Sequence, residues 1–283
     1  MSLVPSAQAQ VHVARALAHA GAQGLDRVDA FVLLGHVLGR PRAWLIAHDD
    51  AALTAPQWAA FEAVCAERQR GMPVAYLVGQ REFHGLLLQV SPAVLVPRPD
   101  TETLVDWALD LLPMLATDRP RVLDLGTGSG AIALAVAHGH PVADVCASDV
   151  SAQALAVAQA NAQRLGLALN WRQGSWWQAW PGGETFDLVL SNPPYIAAGD
   201  PHLAALVHEP LLALSPGGDG LDALRAIIQG APQRLRPGGW LLLEHGHDQA
   251  PAVAALLRAA GLEQPQMRRD LAGQDRCSGA RQA

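Results

Sequence analysis

The sequence predicts an α/β protein in which a parallel sheet covered by helices follows a smaller, all-helical N-terminal region. Two observations carry this prediction. From Thr101 onward, short apolar strands alternate with glycine-containing loops and helices, which is the pattern of a parallel sheet. Between Ala7 and about Arg70, apolar residues recur at three- and four-residue spacing, which indicates a series of short helices.

Composition supports a folded protein and narrows its chemistry. Of the 283 residues, 50% are hydrophobic and 16% are charged, which is too apolar for a disordered chain. The net charge of −6 argues against stable binding along nucleic acid. All 20 basic residues are arginine, so a Schiff-base lysine and a P-loop lysine are both excluded.

The cysteines and the N-terminus predict a cytoplasmic protein without a membrane partner. Cys65, Cys146 and Cys277 are far apart and lack the spacing of a zinc site or a disulfide framework. Residues 1–20 have no basic start followed by an apolar stretch, so they do not resemble a signal peptide. The chain also has no apolar run of the roughly 18 residues that a membrane span needs.

Local signals divide the chain into three segments: a helical domain over residues 1–75, a β-hairpin linker over 76–100 and an α/β domain over 101–283. Asp26 is placed to cap a helix over Val28–Leu38. Thr54 and Gln57 are spaced as a capping box at the start of another helix. Strand-like alternation around Gly85, within Gly79–Val96, predicts the hairpin.

In the α/β domain, the pattern of apolar residues predicts most of the strands and two of the helices. The predicted strands are Val122–Leu125, Val142–Ser148, Phe186–Ser191 and Trp240–Glu244. A turn at Arg236–Gly239 is predicted to precede the last of these strands. The predicted helices are Ala131–Ala137 and Ala152–Leu165. Ligands bind outside the carboxyl ends of such strands. We therefore expect the functional residues in the loops after Leu125, Ser148 and Ser191.

The loop after the first of these strands predicts a nucleoside cofactor. It reads Gly126-Thr127-Gly128-Ser129-Gly130, in which glycines let the backbone approach a ligand closely. The spacing is one residue shorter than the dinucleotide fingerprint, which favours S-adenosylmethionine over NAD.

Two residues after the next strands extend this cofactor site. Asp149 follows the second strand, where a carboxylate can accept hydrogen bonds from both ribose hydroxyls, although it could also cap the next helix. Trp176, or Trp177 beside it, follows the third strand and could stack on adenine or pack in the core.

The loop after the fourth strand is the most informative segment. It reads Asn192-Pro193-Pro194-Tyr195, a tetrapeptide expected by chance in about one chain in ten thousand of this composition. Methyl transfer to a planar amide or aryl-amine nitrogen requires its delocalised lone pair to be aimed at a sulfonium methyl. The Asn192 side-chain oxygen and the Pro193 carbonyl can accept both N–H hydrogens and fix that nitrogen about 3 Å from the methyl.

The other residues of this loop support the same chemistry. The prolines make the turn rigid, and Tyr195 offers a flat wall to a planar substrate group. The sequence thus predicts Asn192 as the catalytic residue, in contact with cofactor and substrate, and Pro193, Pro194 and Tyr195 as substrate contacts.

Several segments together resemble the release-factor glutamine methyltransferases, the PrmC/HemK family, across nearly the whole chain. They are Pro73–Gly79, Arg81–Gly85, Val96–Val105, the Gly126 and Asn192 loops, Glu209-Pro210, Asp219–Leu221, Glu244–Gly246 and Asp270–Gly273. Asn-Pro-Pro-Tyr alone is shared with adenine and other amino-group methyltransferases. The segment Pro97–Glu102 and the helical N-terminus single out this family.

The resemblance implies a seven-stranded, Rossmann-like, S-adenosylmethionine-dependent methyltransferase domain joined by the hairpin to a helical domain that helps to hold the release factor. It implies methylation of the side-chain amide of the glutamine in the Gly-Gly-Gln loop of bacterial class-one release factors. Separately, we expect the protein to be a monomer. The resemblance also implies that residues 126–130 and Asp149 contact the cofactor and that residues 192–195 clamp the glutamine. One departure is Ser175, which stands where the family commonly has an acidic residue before the tryptophan.

Two other functions and one further motif remain open at this point. An exocyclic-amino methyltransferase acting on adenine or guanine in nucleic acid would use the same hydrogen-bond geometry, although the negative net charge disfavours it. A non-catalytic binder of translation factors is the alternative from another class. Residues 244–248 read Glu-His-Gly-His-Asp, but alternating residues after a strand seldom converge on one ion, so we expect no metal.

Overall fold

The computed structural model describes residues 11–283, and packing divides the chain into two compact units, one ending at Gly79 and one beginning at Gln80. The predicted helical segment begins at Ala7, so its first four residues lie outside the described ones. The predicted domain bounds at residues 75 and 100 stay predictions. Among the described residues, no helix is both long and apolar enough to cross a membrane.

The N-terminal unit consists of short helices around their own core. They are α1 (Val13–Ala22), α2 (Arg27–Leu38), α3 (Arg42–Ala47), α4 (Ala55–Gln69) and α5 (Val74–Val78). The Asp26 side chain accepts the Val28 N–H at 2.7 Å, and Thr54 and Gln57 form the capping box at the start of α4. Both predicted helix starts are therefore confirmed.

The second unit begins with the predicted hairpin. Strands β1 (Gln80–Phe83) and β2 (Leu86–Gln89) pair antiparallel with Phe83 opposite Leu86. The turn residues His84 and Gly85 have φ values of 49° and 77°, the positive values that suit a two-residue turn between twisted strands. Phe83, Leu86 and Leu88 are buried as their alternation predicts.

The remaining elements form a seven-stranded sheet with helices. The strands are β3 (Arg121–Leu125), β4 (Asp144–Asp149), β5 (Asn170–Gln173), β6 (Phe186–Ser191), β7 (Leu235–Glu244), β8 (Glu263–Arg269) and β9 (Asp275–Arg281). The helices are α6 (Glu102–Leu111), α7 (Ala131–Gly139), α8 (Ala152–Leu165), α9 (Leu211–Leu214), α10 (Asp222–Gly230) and α11 (Ala250–Ala259). The predicted α/β class is confirmed.

Sheet order places the functional loops together. The strands lie in the order β5-β4-β3-β6-β7-β9-β8, all parallel except β9, which is antiparallel to both of its neighbours. After β3 the chain forms β4 and β5 on one side of β3, and β6 then lies on the opposite side of β3. The loops after β3 and β6 therefore border the crevice where strand order reverses, the usual place for a ligand in such sheets.

Two predicted strand starts differ from the structure by more than one residue. The strand predicted from Val142 begins at Asp144, because Pro141 and Val142 belong to the turn that follows α7. The turn predicted at Arg236–Gly239 is part of β7. Phe186 pairs with Leu235, and Leu188 pairs with Trp240, so the four intervening residues are accommodated as an irregularity within the strand pair.

Candidate active site

The carboxyl ends of β3, β4, β5 and β6 surround a cavity of about 520 Å³. This volume lies in the range of small-molecule and cofactor sites. Of the residues predicted to bind cofactor or substrate, those in its lining are Gly126, Thr127, Gly128, Ser129, Asp149, Trp176, Asn192 and Pro194. Gly130 and Pro193 line neither this cavity nor the one described below, and both are buried.

The glycine loop is shaped by backbone contacts to β4. The N–H groups of Gly126 and Thr127 both donate to the Ser148 carbonyl, at 2.9 and 3.0 Å. Gly126 has a φ of 76°, and a Cβ there would lie 3.2 Å from Cζ3 of Trp176. A larger residue at this position would therefore strain the turn and press on the indole ring.

Beneath this loop lies a buried carboxyl group that the sequence analysis did not single out. Asp124, on β3, is fully buried, and its Oδ2 accepts the Thr127 hydroxyl at 2.6 Å. Burial raises the pKa of Asp124 to about 7, against the hydrogen bonds from Thr127 and the Ala133 backbone, which lower it. The sequence signal that could have identified this group is an acidic residue two positions before the glycine loop.

Asp149 is half-buried at the end of β4 and is tied to both flanking loops. Its Oδ2 accepts the Gly128 N–H and its Oδ1 accepts the Ser151 N–H, each at 2.9 Å. The cap of α8 is Ser151, whose hydroxyl accepts the Ala154 N–H at 3.1 Å. Each carboxylate oxygen of Asp149 has a second lone pair, so both can still accept a ribose hydroxyl.

The two adjacent tryptophans occupy different environments. Trp176 lines the cavity and has a φ of 45°, a strained value for a large residue, and strained residues of this kind cluster at functional sites. Trp177 turns away from the cavity: its Nε1 donates to the Ile227 carbonyl at 2.9 Å, and its ring fills the space beside Gly230. Ser175, at the place of the family's acidic residue, also lines the cavity.

The Asn192 loop is connected to β3 and to the start of α6. The Ser191 hydroxyl donates to the Leu125 carbonyl at 2.6 Å, which joins the two loops at the switch point. The Asn192 Nδ2 donates to the Thr101 Oγ1 at 3.1 Å. This leaves the Asn192 Oδ1 as the acceptor that a substrate N–H would need.

A second cavity, of about 270 Å³, lies beyond Asn192. Tyr195 and Glu244 line it but not the first cavity. Both cavities are lined by Asn192, Arg98, Leu95 and Ala213. Asn192 therefore stands where the two spaces meet.

Arg98 is positioned at this junction by a buried carboxylate. Glu209 forms an ion pair with the Arg98 guanidinium, and its Oε2 accepts the Val96 N–H at 3.0 Å. The side chain of Glu209 is only 2% exposed, whereas that of Arg98 is 37% exposed and so remains available to a ligand. Neither role was assigned from the sequence, because the two residues are 111 positions apart.

The metal-like run after β7 is occupied by internal hydrogen bonds. His245 is buried, with its Nε2 2.7 Å from the Ser278 hydroxyl and its Nδ1 2.8 Å from the Gly246 carbonyl. Burial lowers the pKa of His245. Both ring nitrogens are thus engaged within the protein.

The fold and this site together define a methyltransferase. Residues 104–221 match the family model described as methyltransferase small domain, and residues 8–79 match the model described as PrmC N-terminal domain. Two proteins named release factor glutamine methyltransferase illustrate the similarity. The one from Bordetella pertussis is 54% identical over 258 residues, covering 90% of this chain and 95% of that protein. The one from Vibrio cholerae is 45% identical over 252 residues, covering 88% and 87%.

The chain therefore belongs to the release factor glutamine methyltransferase family, which confirms the resemblance seen in the sequence. Solved structures show the same fold at lower identity. The Thermus thermophilus 16S rRNA N2 G1207 methyltransferase RsmC, in complex with AdoMet and guanosine, is 20% identical with a TM-score of 0.55 and covers 72% of this chain and 50% of its own. The hMettl16 catalytic domain, in complex with an RNA hairpin, is 18% identical with a TM-score of 0.57 and covers 73% and 80%.

Proposed function

We propose that this protein transfers a methyl group from S-adenosylmethionine to the side-chain amide nitrogen of the glutamine in the Gly-Gly-Gln motif of bacterial class-one release factors. The observation that carries the proposal is the position of Asn192 between two cavities. A transfer between two bound molecules needs a donor space and an acceptor space that meet at the reacting atoms. Membership of the release factor glutamine methyltransferase family supplies the substrate class.

The larger cavity fits the cofactor. Asp149 would accept the ribose hydroxyls, Trp176 would stack on the adenine, and residues 126–129 form the wall between them. When bound, S-adenosylmethionine would supply a methyl group carried on a positively charged sulfur; the sulfur–methyl bond would break as the nitrogen–methyl bond forms, and its electron pair would stay on the sulfur as a neutral thioether.

The chain's own residues orient the acceptor nitrogen. The Asn192 Oδ1 and the Pro193 carbonyl accept the two N–H hydrogens of the glutamine amide, so that the nitrogen lone pair points at the methyl. The same two oxygens favour the positive charge that develops on the nitrogen during transfer. Tyr195 forms the wall of the smaller cavity. The nitrogen loses a proton to solvent after the new N–C bond has formed, so no general base is required beforehand.

The helical N-terminal unit, whose sequence matches the PrmC N-terminal domain, is assigned to recognition of the release factor. We expect the protein to act as a monomer in the cytoplasm, without stable nucleic-acid binding. The net charge of −6 supports the last of these expectations.

The test is methylation of a purified release factor with isotope-labelled cofactor. Label should appear in the peptide that contains Gly-Gly-Gln and should be absent when its glutamine is changed to alanine. Labelling that persists in that variant would overturn the site. Label released by nuclease instead of protease would establish the alternative, an amino-group methyltransferase of nucleic acid. A protein that binds the release factor but transfers no label would be a binder of translation factors.

A further inference from the structure

Behind Asn192 lies a chain of polar groups that its proposed contact with substrate does not use. The Nδ2 of Asn192 donates to the hydroxyl of Thr101, which is 4% exposed and immediately precedes α6. A hydroxyl has one hydrogen to donate and can also accept. Because Asn192 donates to it, the Thr101 hydroxyl is free to donate its own hydrogen to another acceptor.

A buried carboxyl group with unused acceptor capacity, that of Glu244 at the end of β7, interacts with Thr101. Glu244 is 1% exposed, and its Oε1 accepts the Tyr195 hydroxyl at 3.3 Å. Its Oε2 is buried and has no hydrogen-bond partner among the described residues, so this side chain has acceptor capacity left. Burial raises the pKa of Glu244 to about 7, and hydrogen bonding by Thr101, the attraction of Arg276 and the Tyr195 hydroxyl counteract that rise.

One carboxyl group is thereby connected to both ends of the Asn-Pro-Pro-Tyr loop. It accepts from the Tyr195 hydroxyl, and it also interacts with Thr101, which in turn accepts from Asn192. The connection matters because an asparagine amide can be turned over with little change of shape, exchanging its oxygen for its NH₂ group. In the reversed orientation, Asn192 would present N–H hydrogens to a substrate nitrogen that also carries N–H hydrogens.

We propose that Thr101 and Glu244 are positioning residues that hold the Asn192 amide with its oxygen toward the acceptor substrate. A Thr101 hydroxyl that donates to Glu244 can only accept from Asn192, which selects the Nδ2 for that side and the Oδ1 for the other. The inference rests on the proposed function in so far as Asn192 accepts from the substrate amide. It goes beyond that function by assigning how Asn192 acquires its orientation.

The kinetic test is Thr101→Val, which keeps the branched shape and removes the hydroxyl. We expect kcat to fall about 10- to 100-fold, as for the loss of one oriented hydrogen bond in the transition state, with the Kd for S-adenosylmethionine changed by less than about threefold. Thr101→Ser, which keeps the hydroxyl, should restore kcat to within about threefold of wild type. Thr103→Val makes the same exchange two residues further on, within α6, and should leave kcat unchanged.

Glu244→Gln provides a second variant, because it replaces one acceptor oxygen by a donor. This variant should reduce kcat, as Thr101→Val does. The Thr101 variants keep the test valid if this buried substitution prevents folding. Wild-type kcat in both Thr101→Val and a folded Glu244→Gln would overturn the proposal.

A second measurement does not need the release factor. The side-chain NH₂ group of Asn192 should exchange slowly with solvent in ¹⁵N spectra of the wild type and Thr101→Ser, and faster in Thr101→Val. Equal exchange in all three would refute the positioning role. If the wild type methylates no release factor but the exchange rates differ as stated, the proposed function fails and the positioning role stands.

Discussion

Replacing each of the two adjacent tryptophans separately tests the cofactor site most sharply. Trp176 lines the larger cavity against Gly126, whereas Trp177 donates to the Ile227 carbonyl and lines neither cavity. Removing an aromatic ring that stacks on a base costs about 1–3 kcal/mol. Trp176→Ala also removes a wall of the glycine loop, so we expect the upper half of that range, an increase in Kd for S-adenosylmethionine of about 30- to 150-fold.

The matched control is Trp177→Phe, which keeps a ring and removes the indole N–H. The Ile227 carbonyl then loses its partner, which costs about 1–3 kcal/mol of stability. The Tm should therefore fall while the Kd changes by less than about threefold. Isothermal titration calorimetry with the cofactor and its demethylated product measures both variants. A Kd for Trp176→Ala within twofold of wild type, or an equal loss in Trp177→Phe, would refute stacking by Trp176.

Three further perturbations have expected outcomes. Asn192→Ala should lower kcat about 100- to 1,000-fold with cofactor Kd nearly unchanged; retained turnover, measured by mass spectrometry of the release factor, would disprove the clamp. Gly220→Ala places a Cβ 2.4 Å from the Tyr195 carbonyl oxygen and should lower both kcat and Tm, whereas Gly199→Ala has a similar positive φ without a contact and should lower only Tm. Burial raises the pKa of Asp124 to about 7, so the stabilising contribution of this carboxyl group is present below its unfolded pKa and is lost as pH rises through 7. In Asp124→Asn, the free energy of unfolding, measured with urea, should therefore fall less steeply than in the wild type between about pH 5 and pH 8. An identical slope in the two proteins would contradict the raised pKa.

Local chemistry explains which parts of the fold could be predicted. Asp26 and Thr54 cap helices through their own side chains, and the hairpin follows from alternation around Gly85, so sequence alone suffices there. Strand β8 gave no such signal. It is an edge strand with polar, mostly exposed residues, and its pairing with β9 is set by the sheet beside it.

The site was predictable where a motif is contiguous and was missed where contacts are distant in sequence. The Gly126 and Asn192 loops could be read directly as ligand-binding loops. Thr101 lies 91 residues before Asn192, and Glu244 lies 49 residues after Tyr195, so only the sheet order reveals that they meet. The choice between Trp176 and Trp177 likewise depends on the backbone turn at Trp176, which spacing along the chain does not determine.

The reversal of strand order has an evolutionary consequence. The proposed cofactor contacts come from loops after β3, β4 and β5, whereas Tyr195 and Glu244 of the second cavity follow β6 and end β7. Substitutions at Tyr195 and Glu244, which line the second cavity and not the first, can therefore change the acceptor space without altering the lining of the cofactor cavity. Leu95, Arg98, Asn192 and Ala213 line both cavities, so these residues must suit the donor and the acceptor at once. The fold thus allows acceptor specificity to diverge while the methyl donor stays the same.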